Sequence, residues 1–317
     1  MNIKIAIIDY PGSLKSAVYG LSEMFKMASR VSFDQNLVYQ FVPEIIDHST
    51  YKNDQQQENP CYAAVIVPPC DDNDYFLNPE VELISWLVEQ HNTGAVLTSA
   101  CAGSFILAAT GLLKGTEITT HWALQTLFQK TYPQLALQID QLLINKDNFI
   151  TAAGMLSWLD LGLEIVTRFS RSSVMRQLGK MLVVDTGKRE QRYYKQFAPS
   201  FSHGDHDILG LQIELQTIFN QSLTIHLLAQ KCSLTERTFL RRFIRATQLK
   251  PTQYIQRLRI QKACDLLETS ENPFAWIALQ VGYEDVSACR KIFIRVIGLT
   301  PSEFRTRFVR NKSQSVL

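Results

Sequence analysis

The sequence predicts two domains of different class. An α/β domain with a mainly parallel sheet sandwiched by helices covers residues 1–185, and an all-α domain with two helix-turn-helix units covers 208–317. Three observations carry this reading. Apolar runs alternate with helix-period segments through the first part, the pattern of parallel strands covered on both faces. The stretch TGKREQRYYKQFAPSFSHGDHD, residues 186–207, is polar, holds Gly and Pro and shows no period, so it reads as a linker. Beyond it no strand pattern survives, and residues 225–257 recur at 275–307 with an offset of 50.

The elements follow in order. Strands are expected at Ile3–Ile8, Ala63–Val67, Ala95–Leu97 and Phe149–Ala152, where short apolar runs lack polar interruptions. Helical period fills Leu14–Ala28, Val81–Gln90 and Met155–Phe169. The stretch TSACAGSFILAATGLL, beginning at Thr98, sets Cys101 among small residues between a strand and a helix-forming run. That is the setting of a nucleophile on a sharp strand-to-helix turn, and equally of a buried small residue or a ligand-binding position. In the repeat, Gln230 falls on Gln280, Phe243-Ile244-Arg245 on Phe293-Ile294-Arg295, Leu249 on Leu299 and Pro251 on Pro301. Each copy has a short apolar helix (Ile225 to Lys231, Phe274 to Val281), a tight turn, and a second helix with Thr235 or Asp285 placed as N-cap.

The composition excludes several classes. With 317 residues, 46% apolar and 20% charged, the chain is ordinary globular protein. No apolar run of membrane-spanning length and no signal-peptide pattern appears, so a cytoplasmic location is expected. Six cysteines (Cys61, Cys70, Cys101, Cys232, Cys264, Cys289) lack ligand or framework spacing, so no disulfide, metal or other cofactor is expected. Charge is uneven. Residues 1–206 hold 16 Lys/Arg against 21 Asp/Glu, and residues 207–317 hold 16 against 9. A basic third joined to an acidic remainder is the electrostatic footprint of a nucleic-acid-binding module.

The second helices of the repeat have the faces such a module needs. Phe239, Phe243 and Ala246 share one side of the first, with Arg237, Thr238, Arg241, Arg242 and Arg245 turning through the other. Cys289, Ile292, Phe293 and Val296 point inward in the second, and Ser287, Arg290, Lys291 and Arg295 outward. Arg and Lys on such a face reach guanine edges or phosphates, and Ser or Thr either. The run LTIHLLAQKCSLTERTFLRRFIRATQLKPTQYIQRLRIQKACDLL, followed by FAWIALQVGYEDVSACRKIFIRVIGLTPSEFR, resembles the DNA-binding domain of the AraC/XylS family of bacterial transcription regulators over about 90 residues. The resemblance implies two helix-turn-helix units joined by a long helix, about Pro251 to Glu268, entering successive major grooves of double-stranded DNA. Two departures stand out. The first turn reads Lys231-Cys232 where a small residue and Gly are typical, and Val286-Ser287-Ala288 has little hydrogen-bonding reach, so the second helix is expected to favour phosphate contact.

His121, in TTHW, follows Cys101 and is the candidate base for a thiol nucleophile. SACAGSFILAATGLLKGTEITTHW, TAAGMLSWLDLGLEIV and MLVVDTGKREQ resemble segments of the PfpI-like, class I glutamine-amidotransferase-like superfamily, whose fold is a flavodoxin-like parallel sheet. Joined to an AraC-type domain, this is similar to the amidase-like regulators of the GlxA-type group. Enzymes of the superfamily add a carboxylate after the first strand and backbone donors from a Gly-rich loop. Here the acid position is Ala17, and the loop after Ala63–Val67 reads Pro68-Pro69-Cys70, with Pro69 lacking an N–H. Asp71, Asp72 and Asp74 add charge that opposes a thiolate. The expectation is therefore no catalytic residue, but a sensor for a small, nitrogenous effector with a pocket around Cys101, His121, Cys70 and Ala17, and a homodimer. The rival expectation is a cysteine hydrolase or deglycase-like enzyme using Cys101 and His121, with a DNA-binding tail.

Overall fold

The computed structural model describes residues 1–47, 61–71, 74–187 and 189–309; Asp72, Lys188 of the expected linker and residues 310–317 of the expected last domain lie outside them. The chain divides into two compact units, Met1–Gln191 and Arg192–Leu317.

The first unit is α/β. Its elements run β1 (Asn2–Asp9), α1 (Lys15–Asp34), β2 (Gln40–Asp47), β3 (Ala64–Val67), α2 (Val81–Asn92), β4 (Val96–Ala100) and α3 (Gly103–Ala109). There follow β5 (Glu117–Ile118), α4 (Gln125–Thr131), β6 (Ala136–Leu137), β7 (Leu143–Lys146), β8 (Phe149–Ala152), α5 (Trp158–Phe169) and α6 (Ser172–Leu182). Six strands form one sheet in the order β2-β1-β3-β4-β8-β7, parallel except for β7, which runs antiparallel to β8. Strands β5 and β6 pair separately.

Period-two burial explains why the central strands read as unbroken apolar runs. Ala6, Ile8, Val65, Val67 and Leu97 face one core with Leu83, Leu87, Phe105 and Ile106 of α2 and α3. Ile3, Ile5, Ile7, Ala64, Ile66 and Ile150 face the other with Val18, Leu21 and Phe25 of α1 and Leu161, Ile165 and Val166 of α5. The sheet is thus covered on both sides, as the sequence predicts. Strands β2 and β7 were not predicted because both are edges. In QFVPEIID the buried residues are Phe41 and Ile46, and Pro43 is tolerated where one side of the strand has no ladder to feed. Helix α5 starts at Trp158 and not at Met155, because Gly154 (φ +91°) opens a turn closed by the Ser157 amide and hydroxyl on the Gly154 carbonyl, 3.3 and 2.7 Å.

The second unit is helical: α7 (His206–Ile218), α8 (Ile225–Lys231), α9 (Glu236–Thr247), α10 (Pro251–Thr269), α11 (Phe274–Gln280), α12 (Val286–Ile297) and α13 (Pro301–Phe308). Pro251 and Pro301 stand at the first turns of α10 and α13, where a missing N–H costs nothing. Thr235 and Asp285 cap α9 and α12, accepting from Thr238 N at 3.4 Å and Ser287 N at 2.8 Å. Among the described residues no helix is long and apolar enough to cross a membrane, and no group of three or more His, Cys, Asp or Glu is placed to hold a metal ion.

Candidate functional site

Helices α9 and α12 are two copies of one element, 12 residues each and offset by 50. Phe239 and Phe243 are fully buried on one, and Cys289 and Phe293 on the other. The helices before them, however, match at an offset of 49. Leu228-Ala229 and Ile277-Ala278 are the buried pairs of α8 and α11. The Leu234 amide donates to Ala229 O at 3.0 Å, as the Tyr283 amide does to Ala278 O at 2.9 Å. Ser233 (φ +54°) therefore occupies the left-handed position of Gly282 (φ +84°), and Cys232 is the helix-capping equivalent of Val281. The pairing of Gln230 with Gln280 and the reading of Cys232 at the glycine position are corrected accordingly: the second turn is one residue longer. Gly282 has a second reason to be glycine, since a Cβ there would lie 2.3 Å from Asn220 O.

The predicted DNA-facing residues divide by what holds them. Arg237, Arg241, Arg245, Ser287, Arg290, Lys291 and Arg295 are exposed, and Thr238 is half-buried beside the Thr235 hydroxyl, 3.0 Å away. Among the described residues the side chains of Arg237, Arg241, Arg245 and Lys291 make no hydrogen bond or ion pair within the protein. Arg290 lies over the Phe274 ring at 5.7 Å, and Arg295 donates to Gln256 Oε1 at 3.2 Å. Arg242 departs from its expected place. It donates to both Asp205 oxygens (2.9 and 2.6 Å) and to Asp207 (2.8 Å), with the Asp205 side chain nearly buried. The Arg242 hydrogen bonds hold the Asp205 carboxyl below its usual range. Arg242 thus ties α9 to the start of α7, a partner invisible in the pattern of α9 alone.

In the α/β unit, Cys101 follows β4 with φ +53°, its amide donating to Ala152 O at 2.9 Å and its carbonyl accepting from Thr120 Oγ1 at 2.7 Å. The turn is possible because Gly103 lies against β3: a Cβ there would stand 2.6 Å from Val67 O and 2.7 Å from Pro68 O. The end of β3 therefore brings the Val67 and Pro68 carbonyl oxygens up to the elbow. A pocket of about 450 Å³ opens here, lined by Cys70, Asp74, Phe76, Cys101, Ala102, His121, Ala123, Leu124 and Met155.

Three expected pocket residues are brought together: Cys101, Cys70 and His121. Ala17 is not; it is fully buried on α1 and lies outside the lining, because the helix turns that residue inward. The carboxylate at the end of the first strand is Asp9, and it is already held by the Ser13 hydroxyl at 2.6 Å and by Lys15. Sequence reasoning missed Met155, whose Sδ is 3.9 Å from Cys101 Sγ, and Tyr10, buried nearby with its hydroxyl donating to Pro68 O at 2.7 Å. A residue predicted as the first of a helix gives no sign of pocket contact.

The chemistry is that of a protonated thiol. Burial is the main cause that pushes the Cys101 thiol up to about 12, with nearby Cys70 adding to it. Burial also lowers the His121 pKa, and its Nδ1 accepts the Ala123 amide at 3.1 Å. No Cys101–His121 hydrogen bond is present among the described residues. At neutral pH, Cys101 is expected to alkylate with iodoacetamide at least about 100-fold more slowly than an unfolded cysteine, since the thiolate is the nucleophile. Exposed Cys61 serves as the internal standard in peptide mapping by mass spectrometry. Reaction of Cys101 as fast as that standard, with turnover lost in Cys101→Ala, would favour the enzyme reading.

Comparison with known proteins agrees with this architecture. Residues 42–168 match the DJ-1/PfpI family and residues 228–307 a helix-turn-helix domain. The chain is 26% identical over 224 residues to the HTH-type transcriptional regulator CdhR of Pseudomonas aeruginosa, covering 70% of this chain and 66% of that one. It is 23% identical over 232 residues to the HTH-type transcriptional regulator GbdR of the same species, covering 71% and 61%. The matched part thus spans just under two thirds of the length of these curated relatives. A crystal structure of Drosophila melanogaster DJ-1beta, 13% identical, covers 58% of this chain and all of its own, with a TM-score of 0.47. The chain thus carries one segment similar to the DJ-1/PfpI family and another similar to helix-turn-helix domains.

Proposed function

We propose that the protein is a sequence-specific, DNA-binding transcription regulator of the cytoplasm. Its α/β domain does no chemistry, binds a small nitrogenous effector in the Cys101 pocket and pairs two chains as a homodimer. The observation that carries the reading is the duplicated unit with exposed cations at matching positions, Arg241 on α9 and Lys291 on α12, unpaired among the described residues. Two relatives named as HTH-type transcriptional regulators support it. The effector half rests on the pocket: it combines Phe76, Leu124 and Met155 with few polar groups, the usual make-up of a small-molecule site. A protonated Cys101 and a His121 engaged by backbone speak for binding over hydrolysis.

Selection of duplexes from random-sequence DNA by the full-length protein is expected to return a defined sequence. A thermal-shift screen with small amides, amines and amino acids is then expected to find a compound that raises the melting temperature and alters affinity for that duplex. A ligand at about 100 times its Kd stabilises by about 2.7 kcal/mol, well within reach of the method. No sequence enrichment sinks the regulator reading. Enrichment with no compound that acts on both melting and DNA binding sinks the sensor.

A further inference from the structure

The two helix-turn-helix halves have separate buried cores, with half-buried Phe219 packed against both. One gathers Leu228, Phe239, Phe243 and Tyr254, the other Cys264, Ile277, Phe293 and Phe304, and α10 runs from one to the other. Where they meet, α10 carries Arg259. Its guanidinium donates to Phe219 O at 2.7 Å, to Gln221 O at 2.7 Å and to Gly282 O at 2.8 Å, and lies over the Tyr283 ring at 5.3 Å. Phe219 and Gln221 belong to the segment between α7 and α8, and Gly282 to the turn between α11 and α12. The approach is close enough that Gly282 and Asn220 leave no room for a Cβ between them. Three segments are pinned at one point by a planar fork, a geometry Lys cannot reproduce.

We propose that Arg259 is a positioning residue: it fixes the angle between the two helix-turn-helix units and so sets the half-site spacing the protein accepts. The proposal rests on the DNA-binding reading above. Two recognition helices that enter successive grooves must be held about 34 Å apart on one face of the duplex. A swing of roughly 10° on a lever of about 20 Å moves a helix by about 3.5 Å, one base-pair step of about 3.4 Å. Since each half has its own core, loss of the fork frees the angle while leaving both halves folded.

The test uses the full-length protein and the duplex it selects from random-sequence DNA. That duplex is rebuilt with two base pairs inserted between the contacted segments, and also as each segment alone. Wild type is expected to lose at least about tenfold in affinity on insertion. Arg259→Met is expected to bind single segments within about threefold of wild type, to bind the unaltered duplex at least about tenfold more weakly, and to lose most of the spacing penalty. Arg259→Lys keeps the charge without the fork and should share the loss of spacing discrimination; it replaces Arg259→Met if circular dichroism finds that variant unfolded. A folded variant of either kind that keeps the wild-type affinity and spacing penalty overturns the proposal. Failure of the wild type to enrich any sequence is a different result, and overturns the DNA-binding reading itself.

Discussion

Phe243→Ala is expected to destabilise the helical domain by about 3–5 kcal/mol, the cost of removing a buried aromatic ring and leaving a cavity. Phe243 is fully buried, packs edge-on to Tyr254 with ring centroids 5.3 Å apart and lies 5.4 Å from the Phe239 ring. Its neighbour Tyr254 is held by the hydrogen bond from Gln212 at 3.3 Å, so collapse into the space is resisted. The first interior is a small one, so a hole there is a large fraction of what holds α9 against α8 and α10. Denaturant unfolding monitored by far-ultraviolet circular dichroism measures the loss. A change below about 1 kcal/mol would mean the ring does not fill this core. The α/β unit has its own two cores, so its part of the transition should keep its midpoint.

Arg241→Ala is expected to weaken binding to the selected duplex by about 1–3 kcal/mol, up to about a hundredfold, with a smaller loss on unrelated DNA. The side chain is exposed on α9 with no partner among the described residues, so its donors are available to a guanine edge. Fluorescence anisotropy on both duplexes over a range of salt separates the roles. An equal loss on every sequence, with the salt slope reduced by about 0.9, makes Arg241 a phosphate contact instead. Its neighbour Arg242 makes the comparison sharp. The two are indistinguishable in type, yet Arg242 spends its donors on Asp205 and Asp207.

Much of the fold was legible because it rests on period. Strands β1, β3, β4 and β8 are buried on both faces and so read as apolar runs, and each had its predicted place to within a few residues. The helical domain was more legible still, since α9 and α12 repeat residue types as well as period. The edge strands β2 and β7 escaped because half their surface needs no apolar residue. The pocket was legible at Cys101, His121 and Cys70, which lie at strand ends and loops. It was misread at Ala17, where the rotation of α1 decides what faces the site, and at Met155, which a turn opened by Gly154 withholds from α5.

The sequence by itself determined the two-domain plan, the parallel sheet, the duplication and the inward and outward faces of its second helices. These follow from hydrophobic period and from repeated residue types, which are properties of neighbouring positions. Only the tertiary structure decided which cations are spent inside the protein, that the two turns differ by one residue, that Arg259 pins three segments, and that burial keeps the Cys101 thiol protonated. The turn lengths show in the local amide bonds of Leu234 to Ala229 and of Tyr283 to Ala278; the others depend on groups 37 or 23 residues apart, or on how much water a fold excludes, and no local pattern carries that information.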